Sequence, residues 1–483
     1  MTHQDIVVVG AGISGIAAAY NLQKSCPTKS FTIFEGRSNL GGTWDLFTYP
    51  GIRSDSDMHT LGFRFKPWIH DKSIADGPSI LEYLNETVDE YSLRDKIIFN
   101  HKVISANWVA NETLWHLKVL HDGITTEMTC NFLFACGGYY SYEKPYQPVF
   151  EGQDDFSGPI IHPQFWDESL DYSNKKVVVI GSGATAVTLV PALAEKAKHV
   201  YMLQRSPTYI ASSPSEDQWN QALKKIFSPK LTYFIIRWKN ILWQNFAFNL
   251  ARKYPEMIKT KLLDQVRELL GPDFDVEKHF TPTYNPWDQR ICLVPDGDLF
   301  DSLKIGTSSV KTDLIERFTK EGILLQSGEL LEVDIIVTAT GIELNALSNI
   351  NVAMDGVPVE PNTKLAYKGM MLGGIPNFAF SFGYVNASWT LRADLTCEYV
   401  CRLLNQMDKQ GVTACCPDED LEAIADDDYI GFSSGYVQRA LNRMPKQGKK
   451  SPWRNYQNYL LDIFYVRFFS IKDSTLRFYN AKQ

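Results

Sequence analysis

Two short glycine stretches carry the first chemistry legible in this chain. Residues 10–15 read Gly10-Ala11-Gly12-Ile13-Ser14-Gly15, and residues 181–186 read Gly181-Ser182-Gly183-Ala184-Thr185-Ala186. Such a turn is built to receive phosphate: the first glycine permits a tight turn and the second lets a pyrophosphate approach the backbone. The last small residue lets the following helix pack on the preceding strand. The amides and dipole at the helix start then hold the anion. One such turn is a weak signal. Here each copy follows a β-branched run, 5–9 or 176–180, and opens a stretch of helical character. The chain is therefore expected to bind two dinucleotides at once.

The strand after each turn tells the sites apart. Phe31-Thr32-Ile33-Phe34 ends at Glu35, 20 residues past Gly15, where a carboxylate can take both hydroxyls of an adenosine ribose. That suits FAD. Val200-Tyr201-Met202-Leu203 instead runs into Gln204-Arg205-Ser206, and this cation and hydroxyl can bind a 2′-phosphate that a carboxylate would repel. That favours NADPH, with Ser182, Ala184 and Thr185 beside its phosphates; the competing reading of Arg205 is an exposed loop arginine.

A chain of 483 residues exceeds what one core organises. The expected class is α/β: two Rossmann-like dinucleotide-binding domains, the NADP domain inserted in the FAD domain, with an added helical insertion. The expected bounds are 1–145 for the first part of the FAD domain, 146–343 for the NADP domain and 344–483 for the second FAD part. The helical insertion falls at about 211–285, where the pattern turns amphipathic and is interleaved with Trp219, Trp238 and Trp243.

The net charge of −8 opposes nucleic acid and acidic membranes. The eight cysteines contain no Cys-x-x-Cys pair, which argues against zinc and against a disulfide reductase. The first apolar run leads into a glycine turn rather than a cleavage site, so a reducing cytoplasmic setting is expected. Residues 231–250 are lipophilic but interrupted by Arg237, Lys239, Asn240 and Gln244, so no spanning helix is expected. Core packing is one reading of these aromatic helices. A mouth in peripheral contact with a membrane, admitting lipophilic substrate, is the other.

Phe156-Ser157-Gly158-Pro159-Ile160-Ile161-His162-Pro163-Gln164-Phe165-Trp166-Asp167 resembles the F-x-G-x-x-x-H-x-x-x-W-(P/D) fingerprint of type I Baeyer–Villiger monooxygenases at every fixed position. Gly41-Gly42-Thr43-Trp44, continuing through Tyr49-Pro50-Gly51 to Asp55, resembles a second pattern of that family. The resemblance extends over nearly the whole chain. It is strongest to the ethionamide-activating subgroup, with shared residues at 42–47, 52–58 and 285–290. Related flavin-containing monooxygenases, restricted to N- and S-oxidation, end the fingerprint with Tyr or Phe. Trp166 therefore favours the Baeyer–Villiger reading, and the N/S-restricted enzyme is the alternative.

The resemblance implies hydride transfer from NADPH to FAD, capture of O2 as a peroxyflavin, and attack on a ketone to give an ester or lactone. Oxidation of thioethers or thioamides is implied as well. Negative charge then develops on peroxide and on the tetrahedral adduct, and a fixed cation near both is what preorganisation requires. The resemblance carries the family's catalytic arginine onto Arg290. Asp55 is expected to pair with it, with Asp57 as rival. Trp44, Asp45 and Leu46 are expected to edge the flavin, with Thr43, Arg53 and Ser54 also near the cofactors and the Val103 backbone against adenine. His162 and Trp166 are implied to belong to a hinge coupling the domains at the cofactor. Many relatives place lysine before the arginine. Here Gln289 stands there, which shifts work onto Arg205.

Overall fold

The computed structural model describes residues 2–419, 424 and 429–481. Strand Thr2–Val9, its last four residues buried, pairs in parallel with Phe31–Phe34 on one side and with the end of Ile124–Ala135 on the other. Phe31–Phe34 continues to Ile97–Ile98. Phe378–Phe380 lies parallel to the far side of Ile124–Ala135, in the register Phe378 to Leu133. The chain thus returns, some 240 residues later, to complete the sheet it began. Strands covered on both faces must be apolar throughout, which accounts for the unbroken runs Ile6-Val7-Val8-Val9 and Phe132-Leu133-Phe134-Ala135. The first half of Ile124–Ala135 also pairs antiparallel with Leu114–His121, extending the sheet sideways.

Inside this frame sits a second parallel sheet, ordered Ser308–Thr312, His199–Gln204, Lys176–Ile180, Ile335–Thr338 and Ile160–Ile161. A small antiparallel sheet seals one face through Phe318, Ile323 and Leu325, packed with Val178 and Ile180. The result is the expected class, a Rossmann-like domain inserted in another.

Helices Gln218–Lys224, Pro229–Lys253, Pro255–Leu270 and Val276–Phe280 form the added helical part. Pro255 forces the break between the two long helices, because proline displaces its predecessor, Tyr254 (φ −130°), from helical geometry. Arg237, one of the polar interruptions in the lipophilic stretch, is buried. It donates to the carbonyls of His59 at 2.7 Å and Gly62 at 2.8 Å, and to Asp394 Oδ2 at 3.3 Å. An unpaired guanidinium could not be buried so deeply, and these acceptors pin the helix to the FAD side. The opposite face of the same helix exposes Leu231, Phe234, Leu242, Trp243 and Phe246. Among the described residues no helix is long and apolar enough to cross a membrane. All eight cysteines are free and buried.

Candidate active site

At the first turn Gly10 adopts φ +97°, and a Cβ there would lie 2.8 Å from Gly137 Cα. Only glycine tolerates both conditions. A Cβ on Gly15 would lie 1.8 Å from the Gly10 carbonyl oxygen, so this glycine is what lets helix Ile13–Ser25 seat on its strand. Glu35 reaches back to the turn: Oε2 accepts from the Ala11 amide at 2.7 Å and Oε1 from the Arg37 amide at 2.9 Å. Burial pushes its carboxyl above the usual range, against the pull of those amides. Ser14 Oγ is already engaged, receiving Trp389 Nε1 at 2.8 Å and Ser381 Oγ at 3.0 Å. Trp389 in turn stacks on Tyr139, ring centroids 4.8 Å apart.

At the second turn Gly181 has φ +144° and lies against Ala339, whose carbonyl oxygen would be 2.4 Å from a Cβ. Gly183 differs, since a side chain there would meet nothing within 4 Å. It caps helix Ala184–Ala194 without a side-chain hydrogen bond, leaving the first-turn amides for an anion. Ser182 Oγ donates to the Ser206 carbonyl at 3.1 Å, and Arg205 and Ser206 stand exposed at the end of the second strand. A closed cradle beside a buried carboxylate suits FAD. An open one beside an exposed arginine and serine suits NADPH.

Both turns face one cleft of about 1090 Å3, beyond the ~300–1,000 Å3 of a single drug-sized ligand site. Between them Arg290 Nε stands 2.7 Å from Asp55 Oδ2, each side chain about one-third exposed (34% and 33%). The Asp55 carboxylate holds the guanidinium pKa above its ordinary value, so Arg290 remains a cation although burial opposes charge. Asp57 is committed elsewhere: it caps the short helix Met58–Leu61 through the Thr60 amide and accepts from Asn240 at 2.8 Å and Gln244 at 2.9 Å. The Tyr139 and Tyr140 hydroxyls lie 2.8 Å apart beside the pair. Burial raises both phenols well above the ordinary range, so they stay protonated.

Of the residues expected at the cofactors, Gly10, Gly12, Ser14, Glu35, Thr43, Trp44, Arg53, Ser54, Asp55 and Val103 line this cleft, with Gly181, Ser182, Gly183, Ala184, Thr185, Arg205, Ser206 and Arg290. Six do not. Gly15 and Ala186 lie under their helices as packing residues. Asp45 turns to Arg37, with Nη2 to Oδ2 at 2.7 Å and Nε to Oδ2 at 3.0 Å, and Leu46 joins the core of the inserted domain. His162 bonds the Gly341 carbonyl through Nε2 at 3.2 Å and accepts the Gln164 amide on Nδ1, so it ties its segment to the chain just after strand Ile335–Thr338. Trp166 packs edge-on to Tyr172, ring centroids 6.4 Å apart. Arg53 lines the cleft but is paired with Asp298. Sequence reading did not find Arg37, Tyr139, Tyr140, Tyr436 or Arg439, which also line it. Among the described residues no cluster could hold a metal ion.

Two Rossmann-type nucleotide cradles sharing one cleft, with an arginine–carboxylate pair between them, define a two-dinucleotide oxidoreductase. Residues 67–347 match the flavin-binding monooxygenase-like family, and residues 8–71 match an NAD(P)-binding Rossmann-like domain. The latter match spans a turn that FAD and NAD(P) share. The chain is 52% identical over 477 residues to the FAD-containing monooxygenase EthA of Mycobacterium tuberculosis, covering 99% of this chain and 98% of that one. It is 48% identical over 480 residues to the probable FAD-binding monooxygenase AlmA of Acinetobacter baylyi, covering 99% and 96%. A solved oxidized steroid monooxygenase bound to NADP shares the fold, with a TM-score of 0.79 at 22% identity over 99% of this chain and 100% of that one. The chain belongs to the flavin-binding monooxygenase-like family and is a flavin monooxygenase related to EthA.

Proposed function

We propose that this enzyme inserts one oxygen atom of O2 into lipophilic ketones to give esters or lactones, and also oxidises sulfur in thioethers and thioamides. The observation that carries this reading is the Arg290–Asp55 pair, set in the cleft between the two cradles. Bound FAD, reduced by NADPH, supplies the activated oxygen. The chain supplies a cation that needs no reorganisation when charge develops on a carbonyl oxygen, because Asp55 fixes the guanidinium at Nε while its other nitrogens remain donors. The Tyr139–Tyr140 hydroxyls add neutral donors, and the Tyr139 and Trp389 rings, backed by Phe382, form an apolar wall that excludes water. In this reading residues 1–145 and 344–483 hold FAD, residues 146–343 hold NADPH, and Arg290 and Asp55 are the catalytic pair.

The test is anaerobic reduction of the holoenzyme by NADPH, followed by oxygen with and without phenylacetone or a thioether, with product analysis. Ester from the ketone is the expected result. Sulfoxide without ester across several ketones would install the N/S-restricted alternative. The exposed aromatic face of helix Pro229–Lys253 supports entry of lipophilic substrate from a lipid surface. Flotation of the protein with vesicles is expected, and recovery wholly apart from them would remove that part of the reading.

A further inference from the structure

Arg439 belongs to neither glycine turn nor to the Arg290–Asp55 pair. It lies on the short helix Gly435–Ala440, contributed by the chain after it has returned from the inserted domain, yet it lines the shared cleft. Its guanidinium stacks on the Tyr146 ring, 3.3 Å from the centroid. Among the described residues its Nε is buried without a hydrogen-bond partner, and no carboxylate pairs with it. Glu343, an acid close to Gly341 in the chain, is engaged by Arg443. A cation held flat on a ring in a cleft, with donors unspent, is poised for an anion that arrives from solution.

Its neighbours identify that anion. Arg439 Nη2 is 3.5 Å from where a Gly341 Cβ would stand. Gly341 follows Ala339 by two residues, and Ala339 is the residue against which Gly181 of the NADP turn is packed. Tyr146, which carries the arginine, is anchored there too, since its carbonyl accepts from Thr340 Oγ1 at 3.0 Å. Arg439 therefore stands over the strand end beside the phosphate turn, whereas Arg205 lies at the end of the neighbouring strand, where the adenosine 2′-phosphate belongs. At Gln289 the chain offers no cation.

We propose that Arg439 is a binding residue for the pyrophosphate of NADPH, reaching across from the second FAD segment to the nucleotide of the inserted domain. The helix Ala184–Ala194 supplies amides to one side of that diphosphate, and Arg439 supplies a guanidinium to the other. The assignment stands apart from the ketone reading, because it concerns cofactor binding alone.

The experiment is isothermal titration of oxidised holoenzyme with NADP+ and, separately, with adenosine 2′-monophosphate, which lacks the diphosphate. Arg439→Gln should weaken NADP+ binding ~10- to 100-fold, the scale of a lost charge-assisted hydrogen bond, and leave adenosine 2′-monophosphate unchanged. Arg439→Lys should recover part of the loss, and Arg205→Ala should weaken both ligands. FAD content and melting temperature, read on each variant, should match the parent. Unchanged NADP+ affinity in Arg439→Gln would overturn the assignment. So would equal weakening of both ligands, which places the effect on the 2′-phosphate or on domain shape, or loss of FAD, which places the arginine at the flavin.

Discussion

At the first nucleotide turn a side chain on Gly15 would strike the Gly10 carbonyl at 1.8 Å, whereas the second turn carries Ala186 at the matching position; a Cβ on Gly12 would lie 3.5 Å from Gly42 Cα, whereas one on its counterpart Gly183 would meet nothing within 4 Å. The contrast extends to the specificity residues: Glu35 is 5% exposed and bonded to two backbone amides, while Arg205 is open to solvent. It extends to the helix starts as well. Ser14 is sealed under Trp389, which comes from the second FAD segment, but its counterpart Thr185 is only half-buried and the neighbouring Ala184 is exposed. One fingerprint has thus been built into a closed cradle and an open one. A resident cofactor gains from closure, which slows its release, whereas a cofactor that delivers hydride and must be exchanged needs an approach.

Breaking the closed cradle should have the largest effect. Gly15→Ala forces the helix off its strand, and a cost on the order of 3 kcal/mol, the upper range for overpacking, is expected. The variant should purify with little FAD, measured as the flavin-to-protein absorbance ratio, and melt at a lower temperature. Next comes the group that both cradles serve. Arg290→Ala should lower kcat about 100- to 1,000-fold, by analogy with a lost oxyanion donor, while the FAD ratio stays at the parent value. An unchanged kcat would remove Arg290 from the chemistry.

The third effect concerns the pair that ties the inserted helix to the FAD side. Burial raises the Asp394 carboxyl from its ordinary value near 3.8 to about 6, against the pull of Arg237. A carboxyl whose pKa is higher in the folded state binds its proton more tightly there. The associated stability is therefore present below about pH 4 and is lost as pH rises towards 6, on the order of 1–3 kcal/mol. Melting curves across that window should show this slope in the parent and a shallower one in Asp394→Asn. The smallest effect sharpens the contrast directly. Gly183→Ala should leave stability within about 0.5 kcal/mol, as for an unencumbered surface site, and weaken NADP+ in a binding titration, because the added Cβ occupies the space through which the pyrophosphate approaches the backbone.

What could be read from sequence was what is local. The turns, the strands feeding them, and the residues 20 positions past each turn are fixed by spacing along one βαβ unit, so Glu35 and Arg205 could be placed by counting. The Arg290–Asp55 pairing is long-range and came through the family patterns. The rest of the cleft wall could not be counted out. Tyr436 and Arg439 reach it only because Phe378–Phe380 rejoins the first sheet and carries the following chain back to the cleft. Tyr139 and Tyr140 sit in a connector whose path no periodicity specifies. Asp45 has the right position for a flavin contact, but Arg37, eight residues upstream, claims it. His162 and Trp166 illustrate a different gap. A fingerprint marks them without saying what they touch, and what they touch is Gly341 and Tyr172 of the same inserted domain.

The Arg290–Asp55 contact joins the segment following the second strand of the first sheet to the loop that leads into strand Cys292–Pro295 of the inserted domain. Its two halves belong to different domains, so the guanidinium is oriented only where those domains meet. Arg290 is in that sense held in common: neither domain alone orients it, and a substitution that separated the two segments would leave the guanidinium without its carboxylate.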